Sequence, residues 1–293
     1  MQMNSMKKLF RNLNKFLNSM KGIKMIKLLA TIIKEHIAYK GQIFKLAKSD
    51  LIKTYRGAAL GWAWALIKPT ITIFVYWFAF EIGLRAGKGV NNYPYFLWLI
   101  SGVVPWFYIS DMITTGTECI RKYSFLVTKM KFPVSTIPTF VNISKLITHL
   151  LLIAIVILIF ILFGFKPDIY WIQIIFYAAL TFIFFNIWGL FSGPLAAISK
   201  DYSNLVKAFV TAIFWLSGII WNPDTINNPI IKKILALNPV TFLVNGYRNC
   251  FINKIWFWEQ PKRLFYFIVI TLILLLVALK TYRKVRKEIP DVL

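Results

Sequence analysis

The sequence predicts an all-α integral membrane protein with six transmembrane helices, and three observations lead to this fold class. Apolar residues make up 58% of the 293-residue chain, and its mean hydropathy of +0.63 is far above that of soluble domains. Six apolar segments have about the length needed to cross a bilayer. The basic residues behind the net charge of +24 lie mainly between and outside those segments, where they orient a membrane protein and attract anionic lipids. The charge pattern therefore indicates membrane lipids, and not nucleic acid, as its partner.

Residues 1–61 are predicted to form a basic cytoplasmic arm followed by an amphipathic interface helix. Residues 1–27 are rich in lysine, contain no acid and lack the unbroken apolar core of a secretory signal. From Leu28 to Tyr55 the apolar side chains follow a helical spacing, while the lysines lie largely on other faces. We expect the apolar side to lie in lipid; a soluble helix that binds a partner is the alternative. The predicted apolar face consists of Ile37, Phe44, Ala47, Leu51 and Tyr55.

Residues 62–280 are predicted to hold the six spans, and residues 281–293 a cytoplasmic tail. At ~1.5 Å per residue, the first span covers the ~30 Å hydrocarbon core. Both termini are predicted to be cytoplasmic, because this orientation keeps the Lys- and Arg-rich residues before position 62 on the inside. The predicted spans cover about residues 62–82, 95–113, 139–163, 170–198, 205–221 and 264–280.

Residues 223–261 are predicted to form an extracytoplasmic re-entrant helix pair before the last span. Four prolines interrupt this segment, and the apolar stretches between them are too short or too polar to cross a membrane. Two short helices joined at Asn238-Pro239, which dip into the outer leaflet and return, satisfy both observations. Arg248 is expected near the outer mouth of a pathway; the alternative is an arginine whose long side chain reaches the membrane interface.

Motifs for catalysis and metal binding are absent from the sequence. It contains no HExxH, CxxC, DxD or G-x-S-x-G pattern, and its 11 acidic residues are scattered. Lys68, Lys145 and His149 are interpreted as residues toward span ends, where long side chains reach the interface at small cost. We therefore expect no catalytic site, no metal site and no cofactor in this chain, which would move a substrate with energy supplied by another subunit. A passive channel and a proton-coupled carrier are the alternatives.

Five sequence stretches carry a resemblance to a known family. The first two are SGVVPWFYISD (Ser101–Asp111) and KMKFPVSTIP (Lys129–Pro138). The others are KTYRGAALGWAWALIKP (Lys53–Pro69), KDYSNLVKAFVTAIFWLSGIIW (Lys200–Trp221) and LNPVTFLVNGYRN (Leu237–Asn249). Together they resemble the permease subunits of type-2 ATP-binding cassette (ABC) exporters for cell-surface polysaccharides. Residues 82–111 are most similar to the wall teichoic acid translocation permeases, ahead of O-antigen or capsule permeases.

The resemblance implies a homodimeric permease in the bacterial cytoplasmic membrane, bound to two copies of a separate ABC nucleotide-binding subunit. ATP and Mg would bind to that partner, which agrees with the missing phosphate loop in this chain. The Cys119–Phe132 segment would be the cytoplasmic coupling helix that docks on the ATPase, with Lys200–Lys207 as a smaller contact. The cations of the Cys119–Phe132 segment could make charge-assisted contacts with the ATPase, and its aromatic rings could fill a pocket of that partner. The alternative is that the charges only set the orientation of the protein in the membrane. The candidate coupling residues are Arg121, Lys122, Tyr123, Phe125, Leu126, Lys129, Lys131, Phe132, Lys200 and Asp201.

The resemblance also implies that the first and fifth spans of both protomers surround a central conduit. Aromatic rings can stack on sugar faces and close an empty conduit to ions, and a guanidinium matches phosphate geometry. The alternative is that the rings face lipid or core. The candidate path residues are Tyr76, Trp77, Phe80, Trp98, Trp106, Phe214, Trp215 and Trp221, with Arg85 and Arg248 for a phosphate.

The predicted function is export of an undecaprenyl-pyrophosphate-linked polymer, first of all wall teichoic acid, by the permease subunit of an ATP-driven exporter. An O-antigen or capsular polysaccharide permease is the nearest alternative, and a permease for a drug or small lipid is another. An integral membrane glycosyl- or acyltransferase is the alternative from a different class, and it would act without ATP.

Overall fold

The computed structural model describes residues 25–56, 59–83, 89, 91–130, 132–223, 226–286 and 288–289. All the regular elements within these ranges are helices, as the predicted all-α class requires. The predicted basic arm, residues 1–24, lies outside them. The helices are α1 (25–38), α2 (Lys40–Tyr55), α3 (Trp64–Trp77), α4 (Tyr95–Lys122), α5 (Ser124–Thr128), α6 (Ile137–Leu162), α7 (Gln173–Ile198), α8 (Lys200–Leu216), α9 (Pro229–Ala236), α10 (Pro239–Arg248) and α11 (Pro261–Val285).

Helix α1 packs through Leu28 and Ile32 against residues of α7 and α11, and α2 packs on α6. This packing divides the predicted apolar face. Ala47 is buried against the protein, whereas Ile37 and Phe44 are each 64% exposed. The expectation that the whole face lies in lipid is therefore wrong for Ala47 and for Leu51, which is also buried, because α6 packs on that side of α2.

Five helical segments are long and apolar enough to cross a membrane, and they agree with five of the six predicted spans. The predicted span at residues 205–221 corresponds to α8, which has 17 residues and is not among the five. At ~1.5 Å per residue α8 is about 26 Å long. The number of six spans and the cytoplasmic position of both termini stay predictions. The five segments are Gly61–Gly83, Tyr95–Lys122, Val134–Leu162, Ile169–Ile198 and Pro261–Val285.

Helix α8 ends earlier than predicted because the chain turns after Leu216. Gly218 has a φ of +62°, and a Cβ atom at this position would lie 2.2 Å from Pro223 Cγ. Glycine is therefore the residue that this turn requires. The turn itself is buried among the helices.

Helix α4 is the centre of the fold. It packs against α3, α6, α7, α8 and α10, and 78% of its most apolar stretch is buried, against 6% for the first span. The predicted span ends at residue 113, but α4 continues to Lys122. Its polar residues stay helical because hydroxyl groups donate to carbonyl oxygens one turn back, from Thr115 to Asp111 at 2.7 Å and from Thr117 to Ile113 at 2.6 Å. One helix therefore joins the predicted second span to the predicted coupling segment.

The two short helices expected before the last span are present as α9 and α10. Each begins with proline, and the side chains of Asn228 and Asn238 accept hydrogen bonds from backbone N–H groups of the first turn. Helix α10 is largely buried and packs against α4, α7 and α11, while the isoleucines of α9 are exposed. Helix α10 thereby brings Arg248 inside the helix bundle.

Candidate functional site

Three predicted path residues meet where α3, α4 and α8 come together. Tyr76 of α3 stacks on Phe214 of α8 with ring centroids 5.5 Å apart, and the Trp106 ring of α4 lies 5.5 Å from the same phenyl ring. Phe214 and Trp106 are buried. This aromatic contact brings the predicted first span beside the helix predicted as the fifth.

Four further ring candidates have contacts or exposure of their own. Trp77 meets Phe96 edge to face at 6.2 Å, and Phe80 packs against the main core. Trp221 donates its indole N–H to the carbonyl oxygen of Trp215 at 2.9 Å, and the Trp215 ring is exposed. A role for these rings in lining a path stays a prediction.

Arg248 is the most deeply buried cation of the described residues, with 2% of its surface exposed. Its guanidinium carbon lies 3.7 Å from the ring centroid of Trp98. Its Nη1 donates to the carbonyl oxygen of Gly218 at 2.7 Å and to Asn245 Oδ1 at 3.3 Å, and its Nη2 donates to the carbonyl oxygen of Ile219 at 2.5 Å. Arg248 therefore holds the turn after α8, and the alternative of a side chain that reaches the membrane interface is wrong.

Gly102 of α4 makes room for this guanidinium. A Cβ atom at position 102 would lie 2.4 Å from Arg248 Nη2, so the guanidinium would have to move to make room for it. Among the described residues, Arg248 Nε has no hydrogen-bond partner. One donor of the buried cation is therefore left for a ligand or water.

A polar cavity of about 390 Å³ adjoins Arg248 at the Tyr95 end of α4. We call it the outer cavity, because the predicted topology puts this end outside. Trp98, Arg248 and Arg263 line it together with six carboxamide side chains, some of which bond to one another: Asn91 donates to Asn253 at 3.3 Å, and Asn253 to Asn249 at 2.9 Å. The carboxamides are those of Asn91, Asn222, Asn245, Asn249, Asn253 and Gln260.

A second cavity of about 590 Å³, the inner cavity, lies among α3, α4 and α6 toward the other end. Lys68, Asp111 and Lys145 line it. Lys145 Nζ is 2.9 Å from Asp111 Oδ2, and the exposed fractions of these side chains are 13% and 42%. The interpretation of Lys145 as a residue that reaches the interface is therefore wrong, because its ammonium group is held between two spans.

His149 is likewise an interior residue and not one at a span end. It is 1% exposed, its Nε2 is 2.8 Å from Tyr247 Oη, and its ring stacks on Tyr108 with centroids 4.9 Å apart. Tyr108 in turn donates to Asn142 Oδ1 at 2.5 Å. This chain of polar contacts ties α6 to α4 and α10.

At the opposite end of α4, Asp50 of α2 binds the start of the predicted coupling segment. Its carboxylate accepts hydrogen bonds from Lys122 Nζ at 2.8 Å and from the Tyr123 hydroxyl. Burial alone would raise the pKa of Asp50, but the hydrogen bonds from Lys122 and the Tyr123 hydroxyl and the charge of Lys122 outweigh it, so the pKa lies below its ordinary value of 3.8. Burial and the neighbouring carboxylate raise the pKa of Tyr123. Asp50 is thus a charged anchor between α2 and α4.

The coupling candidates divide into buried and exposed side chains. Tyr123, Leu126 and Phe132 are buried in this chain, and Arg121 donates to the carbonyl oxygen of Ala197 at 3.1 Å. These four side chains already have contacts within the chain, and Lys122 is bound by Asp50. The side chains of Phe125, Lys129, Met130, Lys200 and Asp201 are exposed.

Arg85 and Lys131 lie outside the described residues. Asp50, Asp111 and the more distant carboxamides of the outer cavity, Asn91, Asn222 and Gln260, were not selected from the sequence, because they come together with the other residues of their sites only by packing between distant segments. The available signal was an acid within or beside an apolar segment, where a lone charge is costly.

Comparison with known proteins supports a transport role. An O-antigen export system permease protein of Myxococcus xanthus is 27% identical over 232 residues, which cover 75% of this chain and 84% of that protein. A Klebsiella pneumoniae protein of the same description is 22% identical over 257 residues, 85% of this chain and 93% of that protein. An inner membrane transport permease of Escherichia coli is 25% identical over 200 residues, 66% of this chain and 77% of that protein.

The family assignment rests on a match that spans most of the chain. The family model described as ABC-2 type transporter matches residues 41–252, which run from α2 through α10. With its apolar helices, the match makes this chain a multi-pass protein of the bacterial cytoplasmic membrane. Family membership also makes it a membrane component of a transporter and implies an ABC ATPase as its partner. The chain belongs to the ABC-2 type transporter family.

Proposed function

We propose that this chain is the permease subunit of an ATP-driven exporter that moves a lipid-linked polysaccharide across the cytoplasmic membrane. The observation that carries the proposal is the outer cavity, with its six carboxamides, two arginines and one tryptophan. A carboxamide both donates and accepts hydrogen bonds, as a sugar hydroxyl requires. A tryptophan face can stack on a sugar ring, and a guanidinium pairs with phosphate or carboxylate groups of a polymer.

The motor is an ABC ATPase, in two copies that bind ATP and Mg, on a homodimer of this chain. Phe125, Lys129 and Met130 follow α4 on the exposed surface and form its docking site. Helix α4 includes both Trp98, whose ring contacts Arg248, and Lys122, which is bonded to Asp50. Movement of the docking site is therefore carried by one helix to the outer cavity.

Two polymers are candidates for the cargo. Wall teichoic acid is supported by the sequence resemblance of residues 82–111. O-antigen is supported by the relatives from Myxococcus xanthus and Klebsiella pneumoniae, whose matches cover 84% and 93% of those proteins. Both polymers consist of sugars or sugar-like units on a lipid carrier, so the outer cavity suits either.

The test is ATP hydrolysis by the complex of this chain with its partner ATPase. In nanodiscs, lipid-linked O-antigen or lipid-linked teichoic acid is added at equal concentrations. We expect one of them to stimulate hydrolysis, and Asn249→Ala together with Asn253→Ala to reduce the stimulation without changing hydrolysis in the absence of polymer. Polymer synthesis or acyl transfer by the purified chain without ATP would instead support a membrane transferase and contradict the proposal.

A further inference from the structure

We propose that the inner cavity binds the phosphate headgroup of a single-chain polyprenyl phosphate lipid, whose hydrocarbon chain lies in an apolar groove beside it. This inference rests on the proposed function, in which such a lipid carries the polymer. It assigns the carrier lipid a site of its own, separate from the aromatic contact of Tyr76, Trp106 and Phe214.

The charged groups of the inner cavity suit a phosphate. Lys68 and Lys145 bring two positive charges and Asp111 one negative charge to its wall, and the Thr148 hydroxyl adds a further hydrogen-bonding group. Lys68 is exposed, and its ammonium group lies 5.7 Å from the ring centroid of Trp64. The wall therefore has a surplus of one positive charge on these three residues, and an anionic headgroup would balance it.

The ion pair of Lys145 and Asp111 needs an explanation beyond folding. Two charges inside the spans are costly, and a well-packed apolar pair is often as stable. The Asp111 carboxylate is also more exposed than the ammonium group, at 42% against 13%. Both side chains line the cavity, so a bound phosphate can share Lys145 with Asp111 and gain a second cation from Lys68.

An apolar groove of about 360 Å³ continues from the inner cavity along the same three helices. Pro69 and Leu152 line both spaces. A single hydrocarbon chain can therefore run from the inner cavity directly into this groove. Ile73, Trp77 and Ile155 form part of its wall.

The order of the two spaces along α3 matches the orientation of a lipid in the inner leaflet. Lys68 lies about 6 Å along the axis from Trp64, and Trp77 about 20 Å, at ~1.5 Å per residue. In the predicted topology α3 begins at the cytoplasmic side. The charged end is then near the inner surface and the groove extends toward the middle of the membrane.

The experiment uses the full chain with its ATPase in phosphatidylcholine nanodiscs, which contain no anionic lipid. A photoreactive polyprenyl monophosphate is titrated, and labelled peptides are identified by mass spectrometry. We expect labelling of α3 and α6. Lys68→Gln, and Asp111→Asn with Lys145→Met, should each raise the apparent Kd about tenfold, because each removes a charge-assisted hydrogen bond to the phosphate. Ile73→Trp, which fills the groove, should also weaken labelling. Lys166→Gln, which removes an exposed charge between α6 and α7, is the matched control.

Three results would overturn the inference. The first is labelling that stays unchanged in both Lys68→Gln and Ile73→Trp. The second is a loss of labelling in Lys166→Gln as large as that in the cavity variants. The third is displacement of the probe by phosphatidylglycerol at equal concentration. Lys68→Gln should leave the fold intact, because Lys68 is exposed, so a loss of labelling in this variant reports on binding. Stimulation of ATP hydrolysis by lipid-linked polymer is measured on the same variants. Stimulation without labelling at α3 and α6 would reject this site and leave the proposed function standing.

Discussion

The guanidinium of Arg248 lies on the face of Trp98, 3.7 Å from the ring centroid, so a cation of the short helix α10 is held on the central helix α4. The same guanidinium binds the carbonyl oxygens of Gly218 and Ile219. Three separate parts of the chain therefore meet at one buried charge. Disturbing this charge should affect both stability and transport.

Gly102→Ala should displace the Arg248 guanidinium, because the added Cβ would lie 2.4 Å from Nη2. Bonds to two carbonyl oxygens would be strained or broken, and we expect a cost of about 1–3 kcal/mol in the free energy of unfolding. Thermal unfolding in detergent measures this change. Gly41→Ala is the control, since nothing lies within 4 Å of a Cβ at that position. Equal stability of both variants would contradict the close contact at Gly102.

Asp50→Asn should weaken the anchor between α2 and α4 by about 1–3 kcal/mol at pH 7, because Lys122 and Tyr123 lose a charged acceptor. The pKa of Asp50 is lowered in the folded protein. Its stabilising contribution is therefore fully present above the ordinary pKa of 3.8 that the group has in the unfolded chain, and it is lost as the pH falls through the lower folded value.

The check is the unfolding free energy of wild type and Asp50→Asn measured from pH 7 down to the acid transition. The difference between them should be constant from pH 7 to about pH 5 and shrink below about pH 4. Glu288→Gln, at an exposed position, should match wild type throughout. A difference that grows on acidification would contradict the sign of the shift.

Asp111 and Lys145 should behave as a coupled pair. Lys145→Met alone leaves the Asp111 carboxylate unpaired within the spans and should cost about 1–3 kcal/mol. Asp111→Asn combined with Lys145→Met removes both charges and should cost less than Lys145→Met alone. A double-mutant cycle on thermal stability measures the coupling. Strictly additive effects would show that the 2.9 Å ion pair contributes no coupling.

Phe125→Ala and Lys129→Ala should weaken co-purification of the ATPase, because both side chains are exposed beside the end of α4. A central contact of this kind contributes about 1–3 kcal/mol to binding. Neither change should alter the unfolding of the permease itself. Leu126→Ala is the contrast, because Leu126 is buried and its truncation should cost about 2–5 kcal/mol of stability. Unchanged co-purification in both surface variants would remove this segment from the docking site.

Local patterns were sufficient to predict most of the helices. The helix pair α9 and α10 follows from Pro229, Pro239 and the short apolar stretches around them. The continuation of α4 beyond residue 113 could not be predicted in the same way. Thr115 and Thr117 are residue types that often interrupt a helix, and only the structure shows that their hydroxyls donate to carbonyl oxygens of α4 itself.

Contacts between distant segments could not be derived from one sequence. Asp111 and Lys145 come from different helices, and only packing shows that they meet. Tyr123 was predicted to contact the ATPase because it is an aromatic residue among cations, yet its hydroxyl donates to Asp50 inside the chain. The part of the apolar face of α2 that is covered by protein could not be predicted either. Ala47 is buried and Phe44 is exposed, although both belong to the same predicted face. Periodicity identifies apolar sides but does not tell which is covered by protein and which by lipid.

Transport into proteoliposomes measures ATP-driven export of a lipid-linked polysaccharide itself. The chain and its ATPase are reconstituted with lipid-linked O-antigen or teichoic acid outside, and polymer protected from added glycosidase or phosphodiesterase is measured over time. We expect protected polymer to accumulate only when both subunits and hydrolysable ATP are present. Accumulation at the same rate when the ATPase subunit is omitted would contradict this expectation.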